Sequence, residues 1–508
     1  MAAKVYSAVN VGLDAVLVEV EADIGRSLPN FLIVGLPDAA VQEARERVRA
    51  AIKNSGLKFP STRVTVNLAP GDLRKEGPAY DLPVALAILL AAGELRPRLS
   101  LERTLLLGEL ALDGSLRPVA GVLSAATLAR TINYSTLIVP VGNEREAALV
   151  EGVAVHAAPS LAAVVSHLLG ETILPHVPTT AIDPTISSTP PDFDFGYIQG
   201  QAHAKRALEV AAAGGHNVKL SGPPGAGKTL LARALTTILP VLDRDEALEV
   251  TRIYSNAGLL SSGTALISER PFRSPHHTSS HVALVGGGTT PRPGEVSLAH
   301  RGVLFLDEFS EFPRHVLEAL RQPLEDGVVS VARAAGTVTF PARFTLVAAE
   351  NPCPCGYFSD RDRACTCSSG TLLKYRRRVS GPLLDRIDLH VEVPRLATAE
   401  LTRAPAAEPS AAIRARVIAA RVRQRERFHG SKLVTNAEMS SEQVRRWCPL
   451  TGEAEAVLRA ATDRLRLSAR SYYRVVKLAR TIADLAGHEA LAASHIAEAL
   501  QYRPEDPR

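Results

Sequence analysis

Eight consecutive residues have the types and spacing of a phosphate-binding loop. Glycines let backbone N–H groups converge on phosphate oxygens, a lysine reaches the terminal phosphates, and a threonine hydroxyl is a ligand for Mg²⁺. The sequence therefore predicts binding of a nucleoside triphosphate such as ATP, with Mg²⁺. The predicted binding residues are Gly222, Pro223, Pro224, Gly225, Ala226, Gly227, Lys228 and Thr229.

The flanking sequence has the pattern that such a loop requires. Residues 217–220 are predicted as a strand and 230–235 as a helix. The helix N-terminus adds partial positive charge at the loop. An ordinary Gly-rich turn is the alternative, and the strand before and the helix after disfavour it.

A buried apolar strand further along the chain ends in two carboxylates, Asp307 and Glu308. This is the Walker B arrangement of nucleotide hydrolases. Asp307 is predicted to bind Mg²⁺, and Glu308 to orient and polarise the attacking water. A core strand followed by a solvated acidic turn is the alternative, which the upstream loop disfavours.

Two further residues are placed to act on phosphate. The apolar strand 344–349 leads to Asn351, which is predicted to contact the γ-phosphate or the water. Arg386 lies in a loop before the strand 389–393, where an arginine can reach a neighbouring subunit's γ-phosphate and stabilise transition-state charge. For an arginine taken alone, a surface ion pair is the commoner role.

The chain length of 508 residues predicts about three domains. The apolar fraction of 46% and the charged fraction of 22% are those of a soluble globular protein. A net charge of +5 does not by itself argue for nucleic-acid binding. The predicted blocks are 1–175, mixed α/β; 176–192, a Pro-, Ser- and Thr-rich linker; 193–395, α/β around the phosphate loop; and 396–508, helical.

Membrane and secretory segments are not expected. The longest apolar run, 82–92, is too short to span a bilayer, and the N-terminus has no apolar signal core. Five cysteines in so long a chain do not form a disulfide framework. We expect a cytoplasmic location and no membrane partner.

The order of these motifs resembles the Mg-chelatase-like AAA+ ATPases, most closely the ComM/YifB group of competence-associated branch-migration helicases. The most specific stretches are 270–279, 284–288, 293–300 and 467–474. The resemblance implies a P-loop AAA+ module, a homohexameric ring in which Arg386 acts in trans, and a C-terminal helical lid with Arg474 as its sensor. Glu350 departs from the family pattern, because relatives usually carry an apolar residue there.

The resemblance also implies a function. An ATP-dependent hexameric motor, a helicase, would act on single-stranded or branched DNA and promote branch migration during recombination of DNA taken up in natural transformation. The alternative is a chelatase-type or regulatory AAA+ ATPase that remodels a protein partner. A chelatase motor subunit lacks an N-terminal block like the one present here.

That N-terminal block resembles the proteolytic domain of Lon protease over residues 75–83 and 108–121. Lon needs a serine nucleophile and a lysine base. The serine position reads Ala79, and the lysine position falls near Ala125. We therefore expect an α/β fold without the catalytic dyad, used for assembly or DNA contact.

Four cysteines lie close together in the sequence, at Cys353, Cys355, Cys365 and Cys367. Four thiolates in a cytoplasmic protein have the number and type of a tetrahedral Zn²⁺ site. The C-x-C spacing is tighter than usual; four reduced thiols in an exposed insertion, or a redox role, are the alternatives.

Basic segments are candidates for DNA contact. About 60 residues separate the phosphate-loop helix from the Walker B strand, far more than an ordinary connection, and a hairpin is predicted at 327–340. In the resembled family both inserts face the central pore. The candidate DNA-binding residues are Arg273, Arg333, Lys374 and Arg376; solvated surface charge is the alternative for each. Adjacent His276 and His277 are expected to make loop hydrogen bonds rather than bind a metal.

Overall fold

The computed structural model describes residues 3–179, 193–260, 265–288, 291–333, 336–358, 360, 363–396, 407–431 and 433–503. The chain forms two compact units. The first comprises Met1–Pro184 and Asp243–Ile267, and the second comprises Thr185–Leu242 and Ser268–Arg508.

The first unit is built on an eight-stranded sheet with the strand order β10-β9-β8-β5-β1-β2-β4-β3. Its strands are β1 Ala3–Val11, β2 Asp14–Gly25, β3 Asn30–Val34, β4 Arg63–Ala69, β5 Thr104–Leu106, β8 Thr136–Pro140, β9 Ala154–Ala158 and β10 His176–Val177, with β6 Glu109–Leu110 and β7 Leu116–Arg117 paired separately. Alternation sets the buried face: in β4, Val64, Val66 and Leu68 are buried between more exposed neighbours. The sequence predicts a linker from residue 176, but β10 pairs with β9; residues 180–192 of that linker lie outside the described chain.

The helices of the first unit are Ala39–Asn54, Asp81–Ala92, Val122–Thr131, Glu144–Ala147, Leu161–Leu169 and Arg244–Ala257, with a 3₁₀ turn at Pro78–Tyr80. Helix Asp81–Ala92 is apolar on nearly all sides and is buried over most of its length, as an all-round hydrophobic helix must be. Asp81 in its first turn lies 2.8 Å from the guanidinium of Arg47.

Helix Arg244–Ala257 falls within the predicted block 193–395 in the sequence, but in the structure it packs in the first unit. A capping box of Asp243 and Glu246 begins the helix. Its amphipathic pattern predicts a buried face but not the partner. Leu248 packs against the apolar cluster that contains Val122, and Asn256 donates to the Ser124 hydroxyl at 2.9 Å.

The second unit is built on a five-stranded sheet with the order β12-β15-β18-β11-β19, in which all paired strands are parallel. Its strands are β11 Val218–Ser221, β12 Phe272–Arg273, β15 Val303–Leu306, β18 Thr345–Glu350 and β19 Leu389–Glu392, with hairpins of β13 Gly286–Gly287 and β14 Arg292–Pro293, and of β16 Val328–Arg333 and β17 Gly336–Pro341. The carboxyl ends of parallel strands meet at one edge, where ligands bind in open α/β sheets.

The helices of the second unit are Ala202–Gly214, Lys228–Ile238, His281–Val285, Glu295–Leu298, Arg314–Glu318, Arg321–Asp326, Ser369–Arg376, Gly381–Leu384, Ser410–Arg427, Ser441–Trp447, Gly452–Leu465, Ala469–Ala486 and Ala493–Gln501, with 3₁₀ turns at Phe195–Tyr197, Phe309–Glu311 and Asn436–Glu438. The described residues after 407 are helical, as predicted. They share one apolar cluster with the sheet: Val417 and Ile482 belong to the same core as Leu220 and Leu235. The predicted mixed α/β fold with a parallel sheet and a helical C-terminus is confirmed.

Candidate nucleotide site

The phosphate loop connects β11 to helix Lys228–Ile238 at the carboxyl edge of the sheet. A Cβ at Gly222 would lie 2.1 Å from the carbonyl oxygen of Val393, so only glycine fits there. The Gly222 N–H donates to the Glu350 carbonyl at 3.3 Å. The loop is therefore anchored to the ends of two neighbouring strands.

Lys228 is 8% exposed, and its ammonium joins the loop to β18. It donates to the carbonyls of Gly222 at 2.6 Å and Pro223 at 3.0 Å, and to the Asn351 side-chain oxygen at 3.2 Å. Burial lowers the pKa of Lys228. The Asn351 side chain therefore lies next to the lysine that is predicted to contact the terminal phosphates.

Thr229 and Asp307 meet across the two motifs. The Thr229 hydroxyl donates to an Asp307 carboxylate oxygen at 3.0 Å. Hydroxyl and carboxylate oxygens are the hard ligands that Mg²⁺ prefers, so this pair fits one cation next to the phosphate loop.

Glu308 has a positive φ of 52° and a side chain that is 55% exposed. Its carboxylate lies 2.9 Å from Nδ1 of His277. The His277 ring also packs against the His276 ring, with centroids 4.2 Å apart. Sequence reasoning missed this contact. No local sequence signal identifies it, because the contact depends on the pairing of β12, which precedes His277, with β15, which precedes Glu308.

Glu350, the departure from the family pattern, is paired on both oxygens. One lies 2.6 Å from the Lys219 ammonium, and the other accepts the Ser310 hydroxyl at 2.8 Å. Its charge is therefore balanced next to Asn351 rather than left facing the phosphate loop.

Arg386 lies on the loop before β19, and Arg474 reaches that loop from helix Ala469–Ala486. Arg386 donates to the Pro382 carbonyl at 2.6 Å and pairs with Glu325. Arg474 donates to the carbonyls of Ile387, at 2.9 Å, and Asp385. Arg474, the predicted sensor, thus holds the loop that carries Arg386, the residue predicted to act on a neighbouring subunit's γ-phosphate. Both catalytic roles stay predictions.

The four cysteines form one cluster, with their sulfur atoms all within 4.8 Å of one another. The Sγ separations are 3.3 Å for Cys353–Cys355, 3.5 Å for Cys355–Cys365 and 3.7 Å for Cys353–Cys365. A tetrahedron with Zn–S bonds of about 2.3 Å has S···S edges of about 3.8 Å. The donor set and its size fit one Zn²⁺.

Backbone N–H groups point at these sulfurs. Phe358 donates to Cys353 at 3.3 Å. The N–H groups of Tyr357 and Thr366 hold the pKa of the Cys355 thiol below its usual value. These donors favour the thiolate of Cys355, the form that binds metal, whereas burial and the neighbouring thiols raise the pKa of Cys365 to about 12 and also raise the pKa of Cys367.

The candidate DNA residues lie in different surroundings. Arg273 is engaged by Glu295 through two hydrogen bonds of 2.6 and 2.7 Å. Arg333 ends β16; its side chain and residues 334–335 lie outside the description. Lys374 and Arg376 are exposed on helix Ser369–Arg376, and the Arg376 guanidinium lies over the Phe358 ring. A cleft of about 360 Å³ is lined by Ser310, Glu311, Phe312, Arg314, Lys374, Arg377 and Arg378.

Known families match nearly the whole chain. Residues 194–401 match the family "Magnesium chelatase, subunit ChlI", 407–503 match its C-terminal domain, and 20–143 match "Subunit ChlI of Mg-chelatase". Competence protein ComM of Haemophilus influenzae is 44% identical over 503 residues, which cover 98% of this chain and 97% of the relative. The chain belongs to the ComM/YifB family of Mg-chelatase-like AAA+ proteins.

Other relatives delimit the similarity. YifB of Escherichia coli is 43% identical over 99% of this chain and 97% of its own length. The magnesium-chelatase 38 kDa subunit of Rhodobacter capsulatus is 29% identical over only 33% of this chain and 52% of its own length. The family is one of AAA+ ATPases, which implies ATP and Mg²⁺. Among the described residues, no helix has the length and apolarity to cross a bilayer.

Proposed function

We propose that the protein is an ATP-dependent DNA motor, a homohexameric helicase that promotes branch migration during recombination of incoming DNA. The observation that supports hydrolysis most directly is the gathering of Lys228, Thr229, Asp307, Glu308 and Asn351 at one edge of the parallel sheet. Similarity along almost the full chain to a protein named for competence supports the DNA substrate. We propose a cytoplasmic location.

In this proposal each side chain has one task. Lys228 and the loop N–H groups bind the phosphates, and Thr229 with Asp307 would hold Mg²⁺, which neutralises phosphate charge when bound. Glu308 orients the attacking water, and Asn351 contacts the γ-phosphate or that water. Arg474 acts as the sensor, and it also fixes the loop from which Arg386 would serve a neighbouring subunit.

The proposed DNA surface comprises the two hairpins and the exposed basic helix. Arg333 lies at the end of β16, next to the hairpin tip, and Lys374 and Arg376 contribute charge beside the aromatic ring of Phe358, a combination suited to a single strand. Arg273 is the weaker candidate, because Glu295 already engages its guanidinium.

We also propose that Cys353, Cys355, Cys365 and Cys367 bind one Zn²⁺ per chain. Sulfur separations close to a tetrahedral edge and backbone N–H groups aimed at the sulfurs support this assignment. Elemental analysis of protein purified without chelators tests it. No zinc, together with four freely titratable thiols, would leave an ordinary thiol cluster.

ATP turnover with and without DNA tests the function as a whole. Single-stranded or branched DNA should raise turnover, and DNA binding should weaken steeply with salt because phosphate contacts release counterions. Arg333→Ala should reduce the stimulation and leave basal turnover unchanged. An ATPase that is indifferent to every DNA structure over a wide salt range, yet stimulated by a protein partner, would establish the remodelling alternative instead.

A further inference from the structure

The cysteine cluster begins directly after Asn351, the residue that follows β18. Cys353 follows Asn351 by two residues and is fully buried. The Asn351 side chain accepts from Lys228 at 3.2 Å. A ligand residue of the thiol site is therefore two peptide units from a side chain that contacts the phosphate lysine.

The turn that carries the first two cysteines also packs on the phosphate loop. The Gly356 N–H donates to the Cys353 carbonyl at 2.9 Å and closes the turn. A Cβ at Gly356, whose φ is +84°, would lie 2.7 Å from Cδ of Pro224. The turn and the loop are in contact with no room for a methyl group between them.

After the cysteine cluster, the chain returns to contact Asn351 again. Helix Ser369–Arg376 begins just after Cys367, and the Tyr375 hydroxyl on that helix donates to the Asn351 carbonyl at 3.3 Å. Asn351 is thus held from the strand side and from the helix side, and the cluster joins the two segments.

We propose that the four-cysteine site is a metal-dependent clamp on the nucleotide site. With one Zn²⁺ bound, the four thiolates fix the turn against Pro224 and fix Asn351 beside Lys228; without metal, the segment loosens and ATP turnover falls. Metal binding orders the residues that ligate it, so occupancy is coupled to the local fold. The inference rests on the proposed ATP hydrolysis and zinc binding, and adds their coupling.

Cys365→Ser and Cys367→Ser test the clamp in the full-length protein. Zinc should fall from about one per chain to near zero, and turnover should fall by about 10- to 100-fold, as for the loss of partners that orient a site. Thermal unfolding and fluorescent-nucleotide affinity are measured in parallel. Cys448→Ala is the control, because Cys448 is buried elsewhere in the unit; its zinc content and turnover should match wild type.

Gly356→Ala separates the contact from the metal. The methyl group should push the turn from Pro224, so that turnover falls while zinc content stays at about one per chain. Gly430→Ala is the matched control, since Gly430 also has a left-handed backbone, with a φ of +78°, but has open space around its Cβ position. It should change neither quantity.

The outcomes are distinguishable. If wild-type protein hydrolyses ATP and the zinc-free serine variants do so at the same rate, the clamp is wrong and the proposed function stands. If wild-type protein binds no nucleotide, the proposed function fails and the clamp with it. Should the serine variants not fold, zinc is stripped from wild-type protein and added back in excess Mg²⁺; turnover that does not follow zinc content overturns the clamp.

Discussion

The first, N-terminal unit and the second, nucleotide-binding unit carry very different chemistry on two different α/β frameworks. In the nucleotide-binding unit, polar side chains at the edge of the sheet contact one another: Lys228 reaches Asn351, and Thr229 reaches Asp307. In the N-terminal unit, the resemblance to Lon protease places the serine position at Ala79 and the lysine position near Ala125, where no lysine is present.

The polar contacts that the N-terminal unit does have are structural. Asp81 accepts from Arg47 and from the Leu110 N–H, and Ser124 donates to the Leu13 carbonyl. Burial raises the pKa of Asp81 to about 6, with Arg47 partly opposing the effect. In these contacts the polar groups of the N-terminal unit hold its fold together, and a fold does not by itself supply a reactive site.

The largest effect on ATP turnover is expected from Arg386→Ala. This variant tests whether the nucleotide site of one chain needs an arginine from a neighbouring chain. Nucleotide affinity should stay near normal, and turnover should fall by about 10³–10⁵-fold, as for other arginine fingers. Mixing with Lys228→Ala protein should restore part of the turnover, because each finger would serve a neighbour's intact pocket. Turnover is measured across mixing ratios.

Arg470→Ala is the matched control for that experiment, since Arg470 also pairs with Glu325, at 2.7 Å. Its effect should be much smaller. No rescue at any mixing ratio would indicate a finger acting in cis, or a different arginine.

The next effect concerns the division of tasks within the site. Glu308→Gln should bind ATP but lose about 10²–10⁴-fold in turnover, because an amide orients and polarises water poorly. Lys228→Ala should lose ATP binding itself. Binding and single-turnover measurements separate the two. Normal turnover in the glutamine variant would remove Glu308 from the mechanism.

A smaller effect is expected from His277→Ala. The imidazole holds the Glu308 carboxylate at 2.9 Å, and an exposed pair of this kind is worth about 0.2–1 kcal/mol, up to about fivefold in rate. Its loss should raise basal turnover by freeing the carboxylate for water. His276→Ala is the control for lost ring packing, because His276 packs on the His277 ring and bonds Thr278. A fall in turnover specific to the His277 variant would mean that the contact positions Glu308 for catalysis.

The smallest effect is expected from Ala79→Ser, which returns a hydroxyl to the N-terminal unit without a base. The free energy of unfolding should change by no more than about 1 kcal/mol, because Ala79 is only partly buried against an apolar cluster, and a serine-directed acylating probe should not label the protein. ATP turnover serves as the functional control. Labelling at residue 79 would show that another group in this unit activates the hydroxyl, and the contrast between the units would fail.

Sequence patterns predicted the parts of the site that are local or that follow from parallel strands. The loop from Gly222 to Thr229 has a fixed spacing, and buried strands predict that Asp307 and Asn351 reach the same edge. The four cysteines were also predicted as a cluster, since only a short segment separates them. For these residues the chain itself limits where the side chains can be.

The contacts that were missed join segments with no shared pattern. His277 meets Glu308 because β12 pairs with β15, and strand order is not encoded in local sequence. Glu350 forms an ion pair with Lys219 on β11, and Arg273 forms one with Glu295, which follows the β13–β14 hairpin. Opposite charges are common along the chain, so composition does not select the pairs; the fold does.

The placement of helix Arg244–Ala257 has a consequence for synthesis on the ribosome. Arg252 pairs with Asp14, which precedes it by 238 residues. The N-terminal unit therefore waits for roughly 80 residues made after its first segment, about 4–16 s at about 5–20 residues per second. Until then the apolar cluster around Val122 lacks Leu248. The nascent chain exposes that surface during this interval.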